Sequence, residues 1–260
     1  MNQVMTTLLN RRSVRAYQER AIPAAVREEI LQAVLRSPTA GNMMLYSVIE
    51  IDSQPLKERL AETCDHQPFI ARAPWLLLFL ADYQRWFNYF QGCGVPQYCA
   101  ERGQTMRRPA EGDLFLACCD ALIAAQTAVI AAESHGIGSC YIGDIMENYE
   151  IHRELLSLPQ YVFPITLVCF GYPTEQQQAR PQPSRFAKEF IVHQNSYRSL
   201  NEADYQAMFR EQAEREFRNQ PFIGDTANIG QHMYVRKFNA AFMQEMNRSV
   251  RAILQAWREV

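Results

Sequence analysis

The feature of the sequence that most constrains the fold is its longest apolar stretch, from Leu114 to Ala132. A stretch of this length suits either a helix buried in a core or a helix that spans a membrane. Asp120, Gln126 and Thr127 interrupt it. A charged group at the centre of a bilayer costs roughly 2.5 to 3.5 kcal/mol on insertion scales, whereas a buried helix of a soluble protein can pair it. We therefore predict a central core helix.

The composition bounds the class of protein. With 260 residues and 48% hydrophobic composition, the chain can bury a large core, and its formal net charge of -2 provides no overall positive field for nucleic acid or an anionic membrane. The seven cysteines include no CxxC pair, which indicates reduced thiols. Met1 to Leu9 lacks the pattern of a secretory signal. We therefore expect a cytoplasmic protein with no nucleic-acid or membrane partner.

A cluster near the N-terminus, Arg11-Arg12-Ser13-Val14-Arg15, predicts an anion site. A phosphomonoester offers close to two negative charges and three acceptor oxygens, which Arg meets with planar, bidentate hydrogen bonds. If the segment is extended, Arg11, Ser13 and Arg15 lie on one face and Arg12 lies on the other. Taken alone, the cluster also fits a solvated basic turn, because short motifs give many false positives.

A second candidate ligand segment follows the first well-signalled helix, which Pro23 begins. The run Ser37–Asn42 ends this helix and leads into the strand-like run Tyr46–Ile51. Thr39 and Asn42 therefore lie in a tight loop at the start of a strand, where short polar side chains and free backbone N–H groups can meet a ligand. The alternative is a plain turn whose side chains bond their own backbone.

The remaining segments predict a layered fold of helices and strands. The continuous apolar run from Ala73 to Ala81 is typical of a strand buried on both faces, and Val162–Pro173 predicts a second core strand that ends in a turn. The aromatic-rich segment from Asp82 to Gly112 fits a lid over a flat ligand or, alternatively, a subunit interface. Residues 201–218 and 228–258 have helical patterns, and the later one carries an apolar stripe that requires a partner surface.

The motifs disfavour three other kinds of site. The run Gly136-Ile137-Gly138 begins a GxGxxG pattern, but Tyr141 takes the sixth position and the helix precedes the strand, opposite to the Rossmann order. Ser139 does not stand in a GxSxG motif, which argues against a serine hydrolase that uses His135. The histidines form no HExxH or other ligand-like pair, so the sequence predicts no metal site.

Taken in order, these segments resemble the FMN-dependent nitroreductase family, over about residues 5–195. The matching motifs are Arg11–Arg15, Ser37–Asn42, the helix Asp120–Gly136 with Gln126, the run Gly136–Gly143, Leu158-Pro159 and Phe170–Pro173. Each motif is weak alone, but their combination in this order is fairly specific. The resemblance therefore favours a phosphate site over a solvated turn for the arginine cluster.

The resemblance implies an α+β fold with a mainly antiparallel central sheet flanked by helices. It also implies a homodimer with two FMN sites at the subunit interface. Residues 1–199 would form the FMN-binding domain, and residues 200–260 would form a helical C-terminal extension that packs on the partner subunit. A helical pair packed on itself is the alternative for the extension.

The resemblance also assigns roles to the arginine cluster. Arg11 and Ser13 would bind the FMN phosphate, with Arg12 beside them as a further candidate. Arg15 would approach N1 and the C2 carbonyl of the flavin. Because two-electron reduction leaves negative charge near N1, a fixed cation there stabilises the reduced flavin and raises its potential.

Two further segments would contact the flavin by the same resemblance. Thr39 and Asn42 would contact the ribityl chain or the pyrimidine edge. The backbone of Tyr141-Ile142-Gly143-Asp144 would lie near N5, where hydride arrives and leaves. The chain departs from many relatives after the Asn loop, because Met44-Leu45-Tyr46 stands where they have Gln-Pro-Trp, so the usual amide contact is missing.

A proline-stiffened loop after the second buried strand carries two further arginines, Arg180 and Arg185. Family members often place a Lys-x-Arg or Pro-Arg pair from this loop on the phosphate. Here Gln182 stands where an arginine could have been, so Arg180 and Arg185 compete for that role. We favour Arg185.

The predicted activity is that of an FMN-dependent NAD(P)H oxidoreductase with ping-pong kinetics. Hydride would pass through N5 of FMN to a nitroaromatic or quinone acceptor, and no side chain need act as nucleophile or base. One alternative is a protein that stores or senses FMN without turnover. Another is a specialised branch of the fold that dehalogenates, dehydrogenates or fragments the flavin. No fingerprint in the sequence selects NADH over NADPH.

Overall fold

The computed structural model describes residues 2–217 and 221–258. Its α-helices are α1 (Gln3–Asn10), α2 (Ala24–Leu35), α3 (Gln54–Thr63), α4 (Pro68–Arg72), α5 (Gln84–Gly92), α6 (Val95–Ala100), α7 (Glu111–Ser134), α8 (Tyr149–Leu155), α9 (Glu175–Ala179), α10 (Glu202–Phe217), α11 (Ile229–Met233) and α12 (Ala241–Arg258). The strands are β1 (Tyr46–Ile51), β2 (Trp75–Asp82), β3 (Gly138–Ile142) and β4 (Val162–Gly171). Short 3₁₀ helices cover Ala40–Asn42, Gly143–Met146 and Lys188–Phe190, and a π-helical turn covers Tyr234–Phe238.

The four strands form one antiparallel sheet in the order β1-β2-β4-β3. The register between β2 and β4 shifts at Phe79 and Leu80. Helices cover both faces of the sheet, so all eight residues of β2 are buried. This arrangement confirms the predicted α+β fold with a mainly antiparallel central sheet.

The two faces of the sheet belong to two separate cores. One face packs against α2 and α7, and the other packs against α3 and α4. Successive residues of β2 alternate between these cores, because strand side chains point to opposite faces: Trp75, Leu77 and Phe79 belong to the first, and Leu76, Leu78 and Leu80 to the second. Each such buried side chain contributes about 1.5–3 kcal/mol of hydrophobic stabilisation. The continuous apolar run of β2 is therefore explained by burial on both sides.

The predicted core helix is α7, which packs against α2 and against all four strands. Its inner face consists largely of alanines, whose small side chains allow the helix to approach the sheet closely. Asp120 lies on this inner face and is 2% exposed. Among the residues that the structure describes, α7 is the one helix long and apolar enough to cross a membrane, and here its inner face is covered by the sheet.

The outer face of α7 is apolar and exposed. Phe115 and Leu116 are 69% and 51% exposed, and Leu122 and Ile123 repeat the pair two turns later on the same side of the helix. A contiguous apolar surface of this kind marks an interaction site more often than a solvated face. This stripe is therefore a candidate contact between subunits.

The aromatic-rich segment that follows β2 folds as α5 and α6. Trp86, Phe87 and Phe90 of α5 pack on a third core, and the Phe87 ring lies edge-on to the Tyr161 ring at 5.0 Å. Part of the segment is therefore held within the chain by its own aromatics. The two roles predicted for it, a lid or an interface, stay predictions.

The chain divides into two compact units: residues 1–179 with 245–260, and residues 180–244. The first contains the sheet, and the second is mainly helical. Within the second, the rings of Phe217 and Phe222 lie 4.6 Å apart, and the ring of His232 lies 4.7 Å from that of Phe217. The predicted assignment of residues 200–260 to a partner surface stays a prediction.

The apolar stripe is compatible with one continuous helix over residues 228–258, but the structure has a break in this range. The helical path runs through α11 and a π turn, ends at Asn239 and begins again at Ala241. The Asn239 N–H donates to the Tyr234 carbonyl, a bond that spans five residues and closes the π turn. Side-chain periodicity does not report such a backbone bond, so the break has no signal in the stripe.

Candidate functional site

The arginine cluster lies along the free edge of the sheet. Ser13 forms a parallel bridge with Ser139 of β3, and Tyr17 forms an antiparallel bridge with Pro173 just beyond β4. The segment is therefore extended, as the alternating arrangement requires. We name residues 11–17 the strap.

Two glycines allow the strap to close on the sheet. The Val14 N–H donates to the Ser139 carbonyl at 2.9 Å, and the Val14 side chain is 3% exposed. A Cβ on Gly138 would lie 2.5 Å from Val14 Cγ2, and a Cβ on Gly171 would lie 2.5 Å from the Tyr17 ring. Neither position tolerates a side chain while the strap keeps its place, because real Cβ atoms do not approach other atoms this closely.

Cys140 of β3 is a buried thiol beside the strap. It is 1% exposed, and burial raises its pKa, whereas the charges of Arg15 and Arg11 and a hydrogen bond with Ser13 act in the opposite direction. Because the strap is extended, Arg11, Ser13 and Arg15 stand at alternate positions along it, and we expect them to share one face. Their contact with a phosphate stays a prediction.

Arg12 points to a different neighbour. Its Nη1 donates to the Gln178 carbonyl of α9 at 2.8 Å. Glu133, near the end of α7, interacts with both Arg11 and Arg12, although burial raises its pKa to about 7 and the arginines only oppose that shift. A carboxyl that takes up protons near neutral pH neutralises the arginines only in part, so the strap keeps a positive charge.

The predicted N5 segment continues directly from β3. Tyr141 and Ile142 end the strand, and Gly143 and Asp144 begin a 3₁₀ turn. Gln67, in the connection between α3 and α4, donates from Nε2 to Asp144 Oδ2 at 2.8 Å. The turn is therefore tied by a side-chain hydrogen bond to the helical layer on that face of the sheet.

Helix α4 also reaches the strap, through Phe69. The guanidinium of Arg15 lies 5.8 Å from the centre of the Phe69 ring, within the range of a cation–π contact. Gln67 and Phe69 thus join the candidate site, although neither lies in a motif of the sequence. No local pattern marks them, because their neighbours in space are far away in the chain.

Two buried titratable side chains fix the 3₁₀ turn. The His152 ring bonds the Ile145 carbonyl at 2.9 Å and the Thr63 hydroxyl at 2.8 Å, and burial lowers its pKa, which favours the neutral ring. Glu147 is 4% exposed, and burial raises its pKa to about 8, with Asp144 adding to the effect. Side chains three residues apart lie over one another in a 3₁₀ turn, so these two carboxyl groups are neighbours.

A buried carboxylate organises the loop that precedes β1. We name residues 39–45 the Asn42 loop. Asp120 of α7 accepts hydrogen bonds from the Thr39 hydroxyl, the Ala40 N–H at 3.0 Å and the Leu45 N–H at 3.1 Å. The charge that interrupts the apolar stretch of α7 is therefore satisfied by this loop.

The two predicted ligands in the Asn42 loop have different surroundings. The Thr39 hydroxyl donates to Asp120 inside the protein. Asn42 is exposed and has a φ of +57°, a left-handed conformation that Asn tolerates better than most residues. Asn42 is therefore the better placed of the two to meet a ligand with its side chain.

The late arginines lie in the second compact unit. The Arg185 Nη1 donates to the neighbouring Ser184 carbonyl at 3.1 Å and more weakly to the Pro183 carbonyl at 3.5 Å. Arg185 also lines a cavity of about 530 Å³ in that unit, together with Phe186, Phe190 and Met208 among others. Arg180 is exposed. The competition between the two arginines for a phosphate stays open.

The strap and the Asn42 loop lie at opposite corners of the sheet. The strap borders β3, and its partner Ser139 is level with Phe170 of β4. The Asn42 loop enters β1 at Tyr46, which is level with Ala81 and so with Phe163 of β4. The two places are three strand spacings apart, roughly 14 Å, and seven residues apart along β4, roughly 23 Å. One chain therefore does not bring these two predicted flavin contacts together.

The sequence profile of the Nitroreductase family matches residues 8–172, a stretch that contains the strap, the Asn42 loop and the whole sheet. The chain belongs to the nitroreductase family. Its relatives in this family include the FMN reductase [NAD(P)H] of Bacillus subtilis, which is 29% identical over 95% of this chain and 96% of that one. The oxygen-insensitive NADPH nitroreductase of Salmonella typhimurium is 32% identical over 78% of each chain.

Solved nitroreductases share the fold. The crystal structure of nitroreductase A from Vibrio parahaemolyticus superimposes with a TM-score of 0.80 over 98% of each chain, at 24% sequence identity. At that identity the likeness concerns the fold alone. It extends over nearly the whole chain, so the residues beyond the family profile also have counterparts in the solved structure.

The residues of the strap fit the phosphate of FMN. Two guanidinium groups and a hydroxyl stand at alternate positions of an extended backbone that bridges Ser139 of β3 and Pro173 just beyond β4. Guanidinium groups offer donors in a planar fork that matches phosphate oxygens. Within residues 2–217 and 221–258, no group of three His, Cys, Asp or Glu side chains is placed to hold a metal ion.

Proposed function

We propose that this nitroreductase-family protein is an FMN-dependent oxidoreductase that transfers hydride from NADPH or NADH to a nitroaromatic or quinone acceptor. The observation that carries the proposal is the extended strap bonded to β3, which places Arg11, Ser13 and Arg15 at alternate positions along one backbone. The names of its relatives, an FMN reductase and an NADPH nitroreductase, support the same chemistry.

In this proposal the residues of the chain bind and orient. Arg11 and Ser13 hold the phosphate, and Arg15 lies toward the ring. FMN, when bound, supplies a ring that takes hydride from a nicotinamide and delivers it to the acceptor. The fixed charge of Arg15 favours the ring's negative, reduced form. The turn that Gln67 and His152 hold rigid keeps the end of β3 in one geometry, which positioning of both reactants requires.

We propose further that the active form is a homodimer in which each flavin site takes the strap from one subunit and the Asn42 loop from the other. The separation of these two segments within one chain supports this arrangement. So does the exposed apolar stripe of α7, which offers a surface for a second copy. A two-fold axis would place the strap of each subunit beside the Asn42 loop of the other, and so would form two equivalent sites.

The remaining parts of the proposal follow from chemistry already described. The acceptor is a small aromatic or quinone-like molecule, and we propose no nucleic-acid or membrane partner. The free, reduced cysteines fit a cytoplasmic location. Arg180 and Arg185 stay proposed as further phosphate contacts, with Arg185 favoured.

The decisive experiment is an absorbance spectrum of the purified protein, followed by anaerobic addition of NADPH and, separately, NADH. The visible bands of oxidised flavin should be present and should bleach with at least one donor, and a quinone should then restore them. A protein that binds FMN but is not reduced would point to storage or sensing. A protein that neither contains nor takes up FMN would contradict the proposal.

The dimer is tested by light scattering over a range of dilutions. We expect the mass of two chains throughout. A monomer that still binds FMN tightly would contradict the shared site, because one chain separates the strap from the Asn42 loop.

A further inference from the structure

The Asn42 loop is held in a conformation that its residues disfavour. Gly41, Asn42 and Met44 all have left-handed backbones, with φ of +56°, +57° and +50°. Glycine and asparagine accept this conformation, but a long side chain such as that of Met44 rarely does. Residues in such conformations persist only where their surroundings hold them, and they cluster at functional sites.

Hydrogen bonds that lead to the buried Asp120 carboxylate stabilise part of this loop conformation. The Met44 N–H donates to the Thr39 hydroxyl at 2.8 Å, and that hydroxyl donates to Asp120. The Leu45 N–H donates to Asp120 as well. These bonds satisfy N–H groups of the loop but leave its carbonyl groups to other partners.

Two side chains of α5 supply those partners. Arg85 Nη2 donates to the Met44 carbonyl and, at 3.1 Å, to the Tyr46 carbonyl. Trp86 Nε1 donates to the Met43 carbonyl at 2.6 Å. The loop is thus fixed through its N–H groups from α7 and through its carbonyl groups from α5.

Asp82 and Ser47 in turn hold Arg85 in place. The carboxylate of Asp82, which is buried at the end of β2, accepts the Arg85 backbone N–H at 3.2 Å and lies 3.9 Å from its guanidinium. Arg85 Nη1 also donates weakly to the Ser47 hydroxyl at 3.4 Å. The guanidinium therefore spans from the first turn of α5 to the start of β1: Nη2 bonds both carbonyl groups, and Nη1 bonds the Ser47 hydroxyl.

We propose that Arg85 and Trp86 are positioning residues of the flavin site, which hold the Asn42 loop in the strained shape that lets Asn42 reach FMN. The proposal rests on the proposed function, because it takes the flavin as the loop's ligand. It also gives α5 a role, which is to bond the carbonyl groups of the Asn42 loop. Neither residue touches the reacting atoms.

The test uses three single variants of the full-length protein. Arg85→Ala removes the guanidinium, and Trp86→Phe keeps an aromatic ring but removes its N–H donor. Arg102→Ala is the matched control, because Arg102 is a similarly exposed arginine of the same aromatic-rich segment that stacks on Tyr98, outside the loop. For each variant we would measure FMN affinity by flavin fluorescence and, without FMN, hydrogen exchange of the peptide that spans residues 39–45.

The expected results separate a positioning role from a purely structural one. Arg85→Ala should weaken FMN binding about tenfold and Trp86→Phe about threefold, and both should speed exchange of the loop in the apoprotein. Arg102→Ala should change neither quantity. Faster exchange with unchanged FMN affinity would overturn the proposal, since the loop would then be held for some other purpose. Unchanged exchange would overturn it as well.

Failure of the proposed function would look different. If the wild-type protein takes up no FMN, the proposed function falls and the role of Arg85 falls with it. If the wild type binds FMN and the Arg85 and Trp86 variants bind it equally well, only the positioning role falls. Trp86→Phe keeps the proposal testable should Arg85→Ala fail to fold.

A mixed dimer gives the sharpest form of the test. Co-expressed, differently tagged Arg15→Ala and Arg85→Ala subunits form one site that carries both changes and one site that carries neither, if the strap and the loop come from different subunits. We expect half of the flavin sites in such a dimer to bind FMN with wild-type affinity. Absence of any wild-type site would overturn the assignment of Arg85 to the flavin of the partner subunit.

Discussion

The strap and the loop from Arg180 to Arg185 both carry two or more arginines, yet the structure treats them differently. The strap bridges β3 and Pro173 just beyond β4, and the Arg12 guanidinium donates to the Gln178 carbonyl of α9. In the late loop, the Arg185 guanidinium bonds carbonyl groups one and two residues away. The arginines of the strap are carried by a backbone fixed to the sheet. The Arg185 guanidinium in the late loop bonds to carbonyl groups of its neighbours in the sequence.

The difference shows what makes an arginine cluster a binding site. A guanidinium that bonds only local carbonyl groups must give up those bonds and its rotamer freedom before it can bind an anion. A guanidinium projected from a fixed strand gives up less. We therefore expect the strap to contribute more to FMN affinity than the late loop does.

The largest effect should come from Gly138→Ala. The new methyl group would collide with Val14, which is buried and short, so the strap must move off β3. We expect a loss of about 1–3 kcal/mol in the free energy of unfolding, together with severe loss of FMN binding. Gly112→Ala is the control, because nothing lies within 4 Å of a Cβ at that position. Thermal unfolding and FMN titration of both variants would show whether the strap depends on the glycine.

A direct comparison pairs Arg15→Ala with Arg185→Ala. Loss of a hydrogen bond to a charged group costs about 1.5–3 kcal/mol, so Arg15→Ala should weaken FMN binding roughly tenfold to a hundredfold and lower the flavin potential. Arg185→Ala should weaken binding by about twofold or less. Arg12→Ala should fall between them, because Arg12 bonds Gln178. An Arg185 effect as large as that of Arg15 would reverse the contrast between the two segments.

The smallest effect concerns pH and the turn beside the strap. Burial raises the pKa of Glu147 to about 8, above its value of about 4.3 in an unfolded chain. Between these values the folded protein binds more protons than the unfolded one, so stability should fall as pH rises toward 8 and level off above it. Glu147→Gln should remove this dependence in urea unfolding curves measured at about pH 6, 7 and 8.

Glu150→Gln provides the control for that measurement. A hydrogen bond from Arg248 lowers the pKa of Glu150 to about 2, so this carboxyl does not titrate in the same pH range. Its replacement should leave the slope between pH 6 and 8 unchanged. If Glu147→Gln kept the wild-type slope, Glu147 would not hold a proton in the folded state.

Much of the fold could be predicted because its signals are local. The continuous apolar run of β2 follows from its burial on both faces, and Gly136, predicted to end the core helix, has a φ of +71°. The break at Asn239 could not be predicted in the same way. A π turn differs from an α-helix in the spacing of its backbone hydrogen bonds, and the bond from the Asn239 N–H to the Tyr234 carbonyl has no side-chain signal.

The residues of the candidate site differ in the same way, since some have a local signal in the sequence and others do not. The arginine cluster was recognisable because its chemistry lies within five consecutive residues. The role of Asp120 was not, because the groups that it binds lie 75 to 81 positions earlier in the chain. In the sequence it signals only a charge within an apolar stretch. Arg85 and Trp86 were hidden for a similar reason, since their partners are backbone carbonyl groups, which every residue carries.

The exposed stripe of α7 also bears on how a newly made chain matures. A single copy displays large apolar side chains, such as Phe115, on the same helix that forms the centre of its core. In the proposed homodimer a second copy covers that face, and a chain that has not yet paired leaves it open to association with incompletely folded chains. The rate at which two chains pair then competes with the rate at which unpaired chains aggregate. Because the proposed pairing weakens on dilution, the helix that forms the centre of the core also sets a protein concentration below which most chains keep this apolar face exposed.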